Sequence, residues 1–474
     1  MKHLVWLRQD VRMTDNVALS QACHSPHDGV IALYVLTPKT WQTHHWAPVK
    51  VDLLLRQLAC LSLELSTRNI PLKILTVPTF ADVPGALATF CRQHGIGQVF
   101  ANQQYLVDEI QRDQQVEQVL QKQDVTCQWF HDAVLMPPQA VLKQDGTPFK
   151  VFTPYKRALL QQFSSGDWAE HPTPNKQPET GVHPDPVPSQ LDRFISPIDP
   201  ALWPVGEQAI HMQLQQFCQH KVCDYKSQRD FPIAEHTSKL SPYLALGMVS
   251  IRHCVRVLME AVGANTMGEL ANQKEPECWF SELIWREFYI AIAWHFPQVV
   301  KGKAFQPHTE ALPWSYNEAH FDAWCEGRTG FPFVDAAMRQ LKQIGWMHNR
   351  LRMVVAMFLT KTLFIDWRWG ERFFMDNLVD GDFASNNGGW QWSASTGTDA
   401  APYFRIYNPT TQSERFDPDG DFIRFYCPEL AACSNKEIHN PSSAMRKHCG
   451  YPDPIVDYSA MRQKVIATFK ALPK

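Results

Sequence analysis

The chain has 474 residues, a formal net charge of −3, a charged fraction of 20% and a hydrophobic fraction of 45%, which is typical of a globular protein with two domains. No apolar run approaches the ~18–20 residues of a membrane span, and charges follow the first short apolar stretch at once, which predicts a strand and not a signal peptide. The twelve cysteines include no Cys-x-x-Cys pair, so we expect reduced thiols, a cytoplasmic location and no metal site.

The first 130 residues alternate short apolar runs with helical patterns, of which residues 49–68 are the clearest. This order predicts an α/β domain over residues 1–132 that contains a doubly wound parallel sheet with right-handed crossovers. No Gly-x-Gly-x-x-Gly follows the first strand, so a ligand would bind elsewhere on the carboxyl edge of the sheet. The predicted strands are residues 3–7, 30–36, 72–77, 98–102 and 126–130.

The sequence changes character from residue 164 to residue 204, where prolines recur and periodicity vanishes. This stretch predicts a long connector, which we assign to residues 133–207. Over residues 208–474 long helical patterns dominate, most clearly in residues 278–296 and 331–364. We therefore expect a second, all-helical domain.

The helical pattern of residues 278–296 places Glu282, Trp285, Arg286 and Tyr289 on one face. This face has two interpretations. It is either a solvated Glu–Arg pair bordered by aromatic side chains, or a pocket in which a base stacks on Trp285 while Glu282 hydrogen-bonds its polar edge.

The net charge alone argues against a nucleic-acid partner, but local charge matters more than the total. Residues 339–372 contain seven basic side chains and only two acidic ones, so this segment is either a face that contacts phosphates or a solvated helix surface. Within it, Asn349 and Met353 share a helical face, whereas Arg350 and Arg352 point outward and suit phosphates.

Residues 379–409 combine paired carboxylates, consecutive asparagines and a Gly-Gly pair with Trp390 and Trp392. Glycines permit the close approach of a ligand, and the carboxylates of Asp380 and Asp382 suit ribityl hydroxyls or a flavin imide N–H. Because the chain also has sixteen tryptophans, this composition favours flavin or nucleobase chemistry over an ordinary core.

Residues 237–250 begin with hydroxyl side chains and a lysine just before a helical run. They form either a hydroxyl cluster that caps the helix or an anion site at its N-terminus that holds a pyrophosphate. The residues alone leave both interpretations open.

At these residues the chain resembles the photolyase–cryptochrome family over essentially its full length, most closely the class I bacterial cyclobutane pyrimidine dimer photolyases. The resemblance implies an N-terminal α/β antenna domain and a C-terminal helical domain that holds FAD in a folded shape. It is carried by long motifs in the family's order: WLRQDVRMTDN (6–16), RDFP (229–232), TSKLSPYL (237–244), ELIWREFY (282–289), TGFPFVDAAMRQL (329–341), GWMHNRLRM (345–353) and DGDFASNNGGWQWSASTGTDAAPYFRIYNP (380–409).

The resemblance also implies site residues. It places Asn386 opposite flavin N5, and it implies an electron chain from the surface through Trp314, Trp367 and Trp390. Lys239 stands where the family often has Arg, which keeps the charge but loses the bidentate fork. The residues implied to bind FAD are Tyr225, Thr237, Ser238, Lys239, Leu240, Ser241, Trp279, Arg352, Asp380, Gly381, Asp382 and Asn386. Those implied to contact the flipped dimer or the DNA backbone are Arg229, Glu282, Trp285, Asn349, Arg350, Met353, Trp392 and Arg405.

The activity implied by the resemblance is light-driven repair of cyclobutane pyrimidine dimers in damaged DNA by a monomer. Excited reduced flavin donates one electron to the flipped dimer, Glu282 stabilises the dimer radical anion, the ring splits and the electron returns. Asn386 disfavours the alternative of a blue-light receptor. Asn349 and Met353 disfavour repair of the (6-4) photoproduct, for which the resemblance leads us to expect histidine there. The sequence identifies no hydride route for an ordinary flavin oxidoreductase.

The antenna chromophore implied by the resemblance is methenyltetrahydrofolate. The matching positions are His44, Asp108, Glu109 and Lys301, and Glu109 would pair with the amino edge of a pterin. Asp108 replaces a folate-type Asn and adds a negative charge. An empty or differently occupied antenna pocket is therefore the alternative.

Overall fold

The computed structural model describes residues 1–25, 27–163 and 169–473. Residues 164–168, which belong to the predicted connector, lie outside the described residues. From residue 169 to residue 199 the connector has no helix or strand, in line with its spaced prolines. One helix, α6 (Phe152–Gln162), lies within the residues predicted as connector.

The N-terminal residues form a five-stranded parallel sheet in the order β3-β2-β1-β4-β5. Every residue of β2 is buried, as expected for a parallel strand covered by helices. The order runs outward from β1 in both directions, which confirms the predicted doubly wound sheet. The strands are β1 (Lys2–Leu7), β2 (Val30–Leu36), β3 (Leu72–Thr76), β4 (Ile96–Asn102) and β5 (Thr126–Phe130). The helices between them are α1 (Val17–His24), α2 (Pro38–Thr43), α3 (Pro48–Ser66), α4 (Val83–His94) and α5 (Val107–Gln121).

Beyond β5 the described residues form helices and no further strand, which confirms the predicted helical region. The pattern at residues 331–364 is two helices and a π-helical turn, Phe358–Thr362, because Gly345 ends the first helix in a left-handed conformation with φ of 67°. The other helices are α7 (Glu207–His220), α8 (Tyr225–Gln228), α9 (Ser241–Ala245), α10 (Ile251–Ala261), α11 (Met267–Ala271), α12 (Lys274–His295), α13 (Glu318–Cys325), α14 (Pro332–Ile344), α15 (Asn349–Met357), α16 (Trp367–Asn377), α17 (Phe383–Ala394), α18 (Pro409–Phe416), α19 (Asp421–Tyr426), α20 (Ser443–Cys449) and α21 (Tyr458–Lys470).

By packing, the chain divides into two compact units. Unit 1 comprises Met1–Cys223, Ser238–Pro297 and Val379–Gly381, and unit 2 comprises Asp224–Thr237, Gln298–Leu378 and Asp382–Lys474. Each has its own hydrophobic core. The domain limits expected from the sequence stay a prediction. None of the helices in the described part of the chain is long and apolar enough to cross a membrane.

A buried ion-pair network in unit 1 joins the sheet to the helices that follow it. The Asp132 carboxylate, just after β5, contacts the Arg12 guanidinium at 2.7 Å and the Arg252 guanidinium at 2.8 Å. Arg252 also contacts Asp15 at 3.0 Å, and Arg12 donates to the carbonyl of Gly247 at 3.0 Å. All four charged side chains are buried. Burial alone would raise the pKa of Asp132, but the two arginines lower it below its usual value.

We expect Asp132→Asn to destabilise the protein by about 3–5 kcal/mol, because it leaves two buried guanidinium groups without their shared carboxylate. A carboxylate with a lowered folded pKa contributes its stability above the unfolded pKa and loses it as the pH falls through the folded pKa. The deficit of the variant should therefore be largest near neutral pH and shrink below about pH 4. Denaturant unfolding at pH 7 and pH 3 measures this deficit. The control is Asp28→Asn, which removes an exposed ion pair with the N-terminal amino group of Met1 and should leave the unfolding midpoint unchanged.

Candidate functional site

A cavity opens to solvent in unit 1, where the carboxyl ends of β1 and β2 meet. Aromatic rings and cations form its walls. The Arg8 guanidinium lies 4.3 Å from the Trp6 ring, and the Arg112 guanidinium lies 4.5 Å from the Phe80 ring. Such walls suit a planar aromatic group that carries negative charge. The sequence predicted a ligand at the carboxyl edge of the sheet but did not identify Arg8 and Arg112, although Arg8 directly follows β1 at that edge.

The antenna residues expected from the sequence lie beside this cavity only in part. His44 Nε2 is 3.0 Å from Asp108 Oδ2, and His44 Nδ1 is 3.9 Å from Glu109 Oε1. Glu109 lines the cavity, and burial raises the pKa of its carboxyl group. Lys301 belongs to unit 2, where it is exposed. The structure thus brings three of the four residues together within unit 1.

Lys50 contacts the carboxylate-rich segment that was singled out for FAD. Its side chain is 1% exposed, its ammonium lies 4.0 Å from the ring of Trp46, and it donates to the carbonyl of Gly381 at 2.6 Å. Gly381 lies between Asp380 and Asp382 in the chain, so Lys50 fixes the peptide that connects them. Sequence reasoning missed Lys50, because a lysine in the first turn of a helix normally points into solvent.

The hydroxyl cluster at residues 237–241 lies at the start of the next helix, where Ser238 Oγ accepts from Leu240 N at 3.4 Å. Helix α9 begins at Ser241 with Leu240 at the capping position, which has no polar group to offer. The hydroxyl cap of this segment is Ser250, which accepts from His253 N at 2.9 Å at the start of α10. Lys239 has a left-handed backbone with φ of 52°, and Gln213 holds the carbonyl of Ser238 at 2.8 Å.

On helix α12, the candidate residues Glu282, Trp285 and Arg286 do not form the simple solvated Glu–Arg face that was one of the two interpretations. The Arg286 guanidinium donates to the carbonyl of Ala133 at 2.6 Å, so it stabilises the fold of unit 1. The Trp285 ring stacks on Phe152 with centroids 3.6 Å apart and an interplanar angle of 6°. Glu282 and Trp285 are both partly exposed, whereas Trp279, one of the expected FAD residues, is buried against Phe217 at 5.0 Å.

In unit 2, helix α15 begins at Asn349, and the side chain of His348 caps it by accepting from Arg350 N at 3.2 Å. Burial lowers the pKa of His348 to about 4, so the imidazole stays neutral and keeps its acceptor nitrogen at neutral pH. The Arg350 guanidinium pairs with Asp230 at 2.8 Å, and Arg352 donates to the carbonyl of Met347 at 2.8 Å.

Most cations of residues 339–372 have partners within the protein, so a face that contacts phosphates stays a prediction. Lys361 is fully buried, and the other pairings use carboxylates from outside the segment that the sequence pattern did not reveal. Besides Arg350 with Asp230, these are Arg339 with Glu429, Lys342 with Glu326, and Arg368 with Glu310, each at 2.8 Å.

Helix α17 contains the asparagines and glycines of the polar motif, whereas residues 395–408 of that motif form no helix. Asp382 caps it by accepting from Ser385 N at 2.9 Å. The amide of Asn386 donates to the carbonyl of Glu371 at 2.9 Å, which fixes its orientation and directs its oxygen away from that carbonyl. Asn387 donates to the Glu371 carboxyl at 2.7 Å, and burial raises the pKa of Glu371 to about 7.

The three tryptophans expected to carry electrons are all buried in the core of unit 2. Trp390 is 2% exposed, Trp367 0% and Trp314 8%. Sequence reasoning did not single out Trp324, whose ring lies 6.0 Å from that of Trp390 in an edge-on arrangement. Gly370 of α16 lies against the Trp390 indole, and a Cβ atom there would collide with the ring.

Two family models match this chain. The description "DNA photolyase" covers residues 3–179, and "FAD binding domain of DNA photolyase" covers residues 279–471. The deoxyribodipyrimidine photo-lyase of Escherichia coli K12 is 44% identical over 100% of this chain and 99% of that protein. The chain belongs to the DNA photolyase family. Among solved structures, a class III photolyase from Agrobacterium tumefaciens has a TM-score of 0.83 at 32% identity over 99% of this chain and 97% of its own. A Synechocystis cryptochrome has a TM-score of 0.85 at 26% identity, covering 98% and 99%.

These findings confirm the resemblance inferred from the motifs. The match to the photolyase FAD-binding domain begins at Trp279, so it contains six of the twelve expected FAD residues. Tyr225 and residues 237–241 precede it in the chain.

The contact between Gly370 and Trp390 predicts opposite effects for two glycine substitutions in neighbouring helices. Gly370→Ala should destabilise the protein by about 1–3 kcal/mol, because the new methyl group forces the indole to move. Gly389→Ala should stabilise it by about 0.5–1 kcal/mol, because a Cβ there meets no atom within 4 Å and alanine favours a helix interior. Denaturant unfolding of the two variants beside the wild type tests this, and equal effects would contradict the packing described for Trp390.

Proposed function

We propose that this photolyase uses non-covalent FAD to repair cyclobutane pyrimidine dimers in DNA in a light-dependent reaction. The observation that carries the proposal is the full-length similarity to the deoxyribodipyrimidine photo-lyase of E. coli at 44% identity, together with the photolyase FAD-binding domain. When bound, FAD supplies a light-excitable one-electron donor. The protein contributes binding, orientation and electrostatics around it.

The donors and acceptors of the expected FAD residues fit this cofactor. Asp380 is buried, and its carboxylate can accept from a ribityl hydroxyl or the flavin imide. The hydrogen bond from Lys50 holds the neighbouring peptide in place. Asn386 presents its amide oxygen from a fixed orientation, as a residue facing flavin N5 requires. The proposed FAD residues are Tyr225, Thr237, Ser238, Lys239, Leu240, Ser241, Trp279, Arg352, Asp380, Gly381, Asp382 and Asn386.

The dimer pocket is proposed around Glu282 and Trp285. Base–aromatic stacking contributes affinity, and Trp285 is already held by Phe152, so a base would stack on an ordered ring. A hydrogen bond from Glu282 to the dimer matters most once the dimer carries extra negative charge. A cyclobutane dimer has lost part of its stacking, so it is easier to flip than an intact base pair. The other residues proposed for DNA are Arg229, Asn349, Arg350, Met353, Trp392 and Arg405.

The antenna is proposed in unit 1. A folate-type chromophore would use His44, Asp108 and Glu109, whereas Lys301, the fourth residue expected from the sequence, belongs to unit 2. The cavity lined by Trp6, Arg8 and Glu109 supports a second candidate, a planar anionic chromophore inside the α/β fold. We also propose that the protein works as a monomer in the bacterial cytosol at the nucleoid.

The repair assay separates the roles of Glu282 and Trp285. Glu282→Ala should lower repair per absorbed photon several-fold while changing affinity for the dimer little, because its hydrogen bond acts on the charged dimer. Trp285→Ala should instead weaken binding by about 1–3 kcal/mol through lost stacking. The measurement uses reduced enzyme and oligonucleotides that carry one cyclobutane thymine dimer or one (6-4) product. Glu275→Ala, earlier on the same helix, is the control.

Restored thymines should appear only with the cyclobutane dimer and only in light. Repair in the dark, or of the (6-4) product alone, would overturn the proposed function. Intact flavin photoreduction without any repair would favour a light receptor instead.

The proposed electron chain predicts that Trp390→Phe blocks photoreduction of oxidised FAD, because phenylalanine is much harder to oxidise than tryptophan. Repair by enzyme that has been reduced beforehand should remain nearly intact. Trp324→Phe is the matched control, since Trp324 is equally buried beside Trp390 but lies outside the proposed chain. Photoreduction is followed by flavin absorption, and normal rates in Trp390→Phe would remove Trp390 from the chain.

A further inference from the structure

Lys361 is a lysine in the core of unit 2. It lies on the π-helical turn Phe358–Thr362, and its exposed fraction is 0%. A buried amino group costs free energy unless hydrogen bonds compensate it, and π-helical turns often occur at functional sites. The partners of Lys361 therefore indicate what its burial achieves.

Those partners lie at the two ends of one loop. The Lys361 amine donates to Ser395 Oγ at 2.6 Å and contacts the carbonyl of Arg405 at 3.4 Å. The Ser395 hydroxyl in turn donates to the carbonyl of Ala401 at 2.5 Å. A single side chain thus connects the beginning and the end of residues 395–405, which we call the 395–405 loop.

The 395–405 loop has no helix or strand of its own. Backbone hydrogen bonds tie Thr396, Gly397 and Ala401 to α17, and the contacts of Lys361 add side-chain anchors at both ends of the loop. It begins where Ser395 ends α17 in a left-handed conformation with φ of 61°. At its other end Phe404 is 60% exposed and Arg405 is exposed as well. An aromatic ring beside a guanidinium on the surface suits contact with bases and phosphates, but only if the loop holds them in a fixed place.

We propose that Lys361 is a positioning residue for the binding of damaged DNA. Lys361 joins both ends of the 395–405 loop and so holds Phe404 and Arg405 where the DNA strand binds. This inference rests on the proposed function, because it concerns how the same enzyme meets its DNA. Lys361 itself contacts no DNA in this arrangement. Its effect passes through Ser395 and through the backbone of Arg405.

The test uses full-length protein loaded with FAD and two variants that remove the two halves of the contact. Lys361→Met keeps the length of the side chain and removes the donor. Ser395→Gly removes the hydroxyl but tolerates the left-handed backbone, so it folds even if Lys361→Met does not. Lys342→Met is the control, since this lysine lies in the same unit but pairs with Glu326 at the surface.

Three readouts separate positioning from a general loss of structure. Affinity for a duplex with one thymine dimer should fall about tenfold in both variants, whereas repair per photon at saturating DNA and the rate of FAD photoreduction should stay within about twofold. Trypsin should cut after Arg405 faster than in the wild type, because the loop is no longer held. The control variant should match the wild type in all three.

Wild-type affinity and wild-type cleavage at Arg405 in Ser395→Gly would overturn the inference. A proportional loss of affinity, repair yield and photoreduction would overturn it too, since that pattern indicates a structural role only. Failure of the wild-type protein to repair the dimer at all would contradict the proposed function instead, and tryptic cleavage would still show whether Lys361 holds the loop.

Discussion

The buried carboxylate of Asp132 is the constraint on which unit 1 depends. It lies just beyond β5 and neutralises Arg12, from the segment after β1, and Arg252, from the start of α10. A buried charge pair tolerates little change in geometry, because each group has lost its hydration and only its partners compensate that loss. The sheet and the first helices beyond it are therefore held in one arrangement. The carboxyl edge of the sheet, where the cavity lies, and helix α12 both belong to this unit.

Other buried polar groups hold segments that the family motifs single out for function. Lys50 fixes the peptide at Gly381, the Glu371 carbonyl orients the Asn386 amide, and Lys361 joins the ends of the 395–405 loop. Each of these segments lies outside a strand or at a helix end, where backbone hydrogen bonding alone leaves several conformations open. Buried side chains that donate to backbone or hydroxyl oxygens select one of them. Burial of such groups lowers the stability of the fold, but it preorganises the site.

The sequence predicted the sheet well, because a buried parallel strand is a short continuous apolar run. The structure matches the predicted limits at β2 (Val30–Leu36) and β5 (Thr126–Phe130). Prediction from the sequence failed where a side chain has a choice of partner. The hydroxyls before α9 resemble a helix cap, yet Leu240 takes the capping position. The cations of residues 339–372 resemble an open face, yet carboxylates distant in sequence pair with them. Local patterns do not contain such long-range partners, so Lys50 and the cavity arginines Arg8 and Arg112 were missed for the same reason.

Fold similarity alone does not distinguish repair from signalling in this family. The TM-score is 0.85 to a cryptochrome and 0.83 to a photolyase, so both functions use one architecture. The difference must therefore come from the few side chains that decide whether DNA binds and whether its dimer accepts an electron. Sequence identity separates the two better than the fold does, because it is 44% over the full length to a deoxyribodipyrimidine photo-lyase and 26% to the cryptochrome.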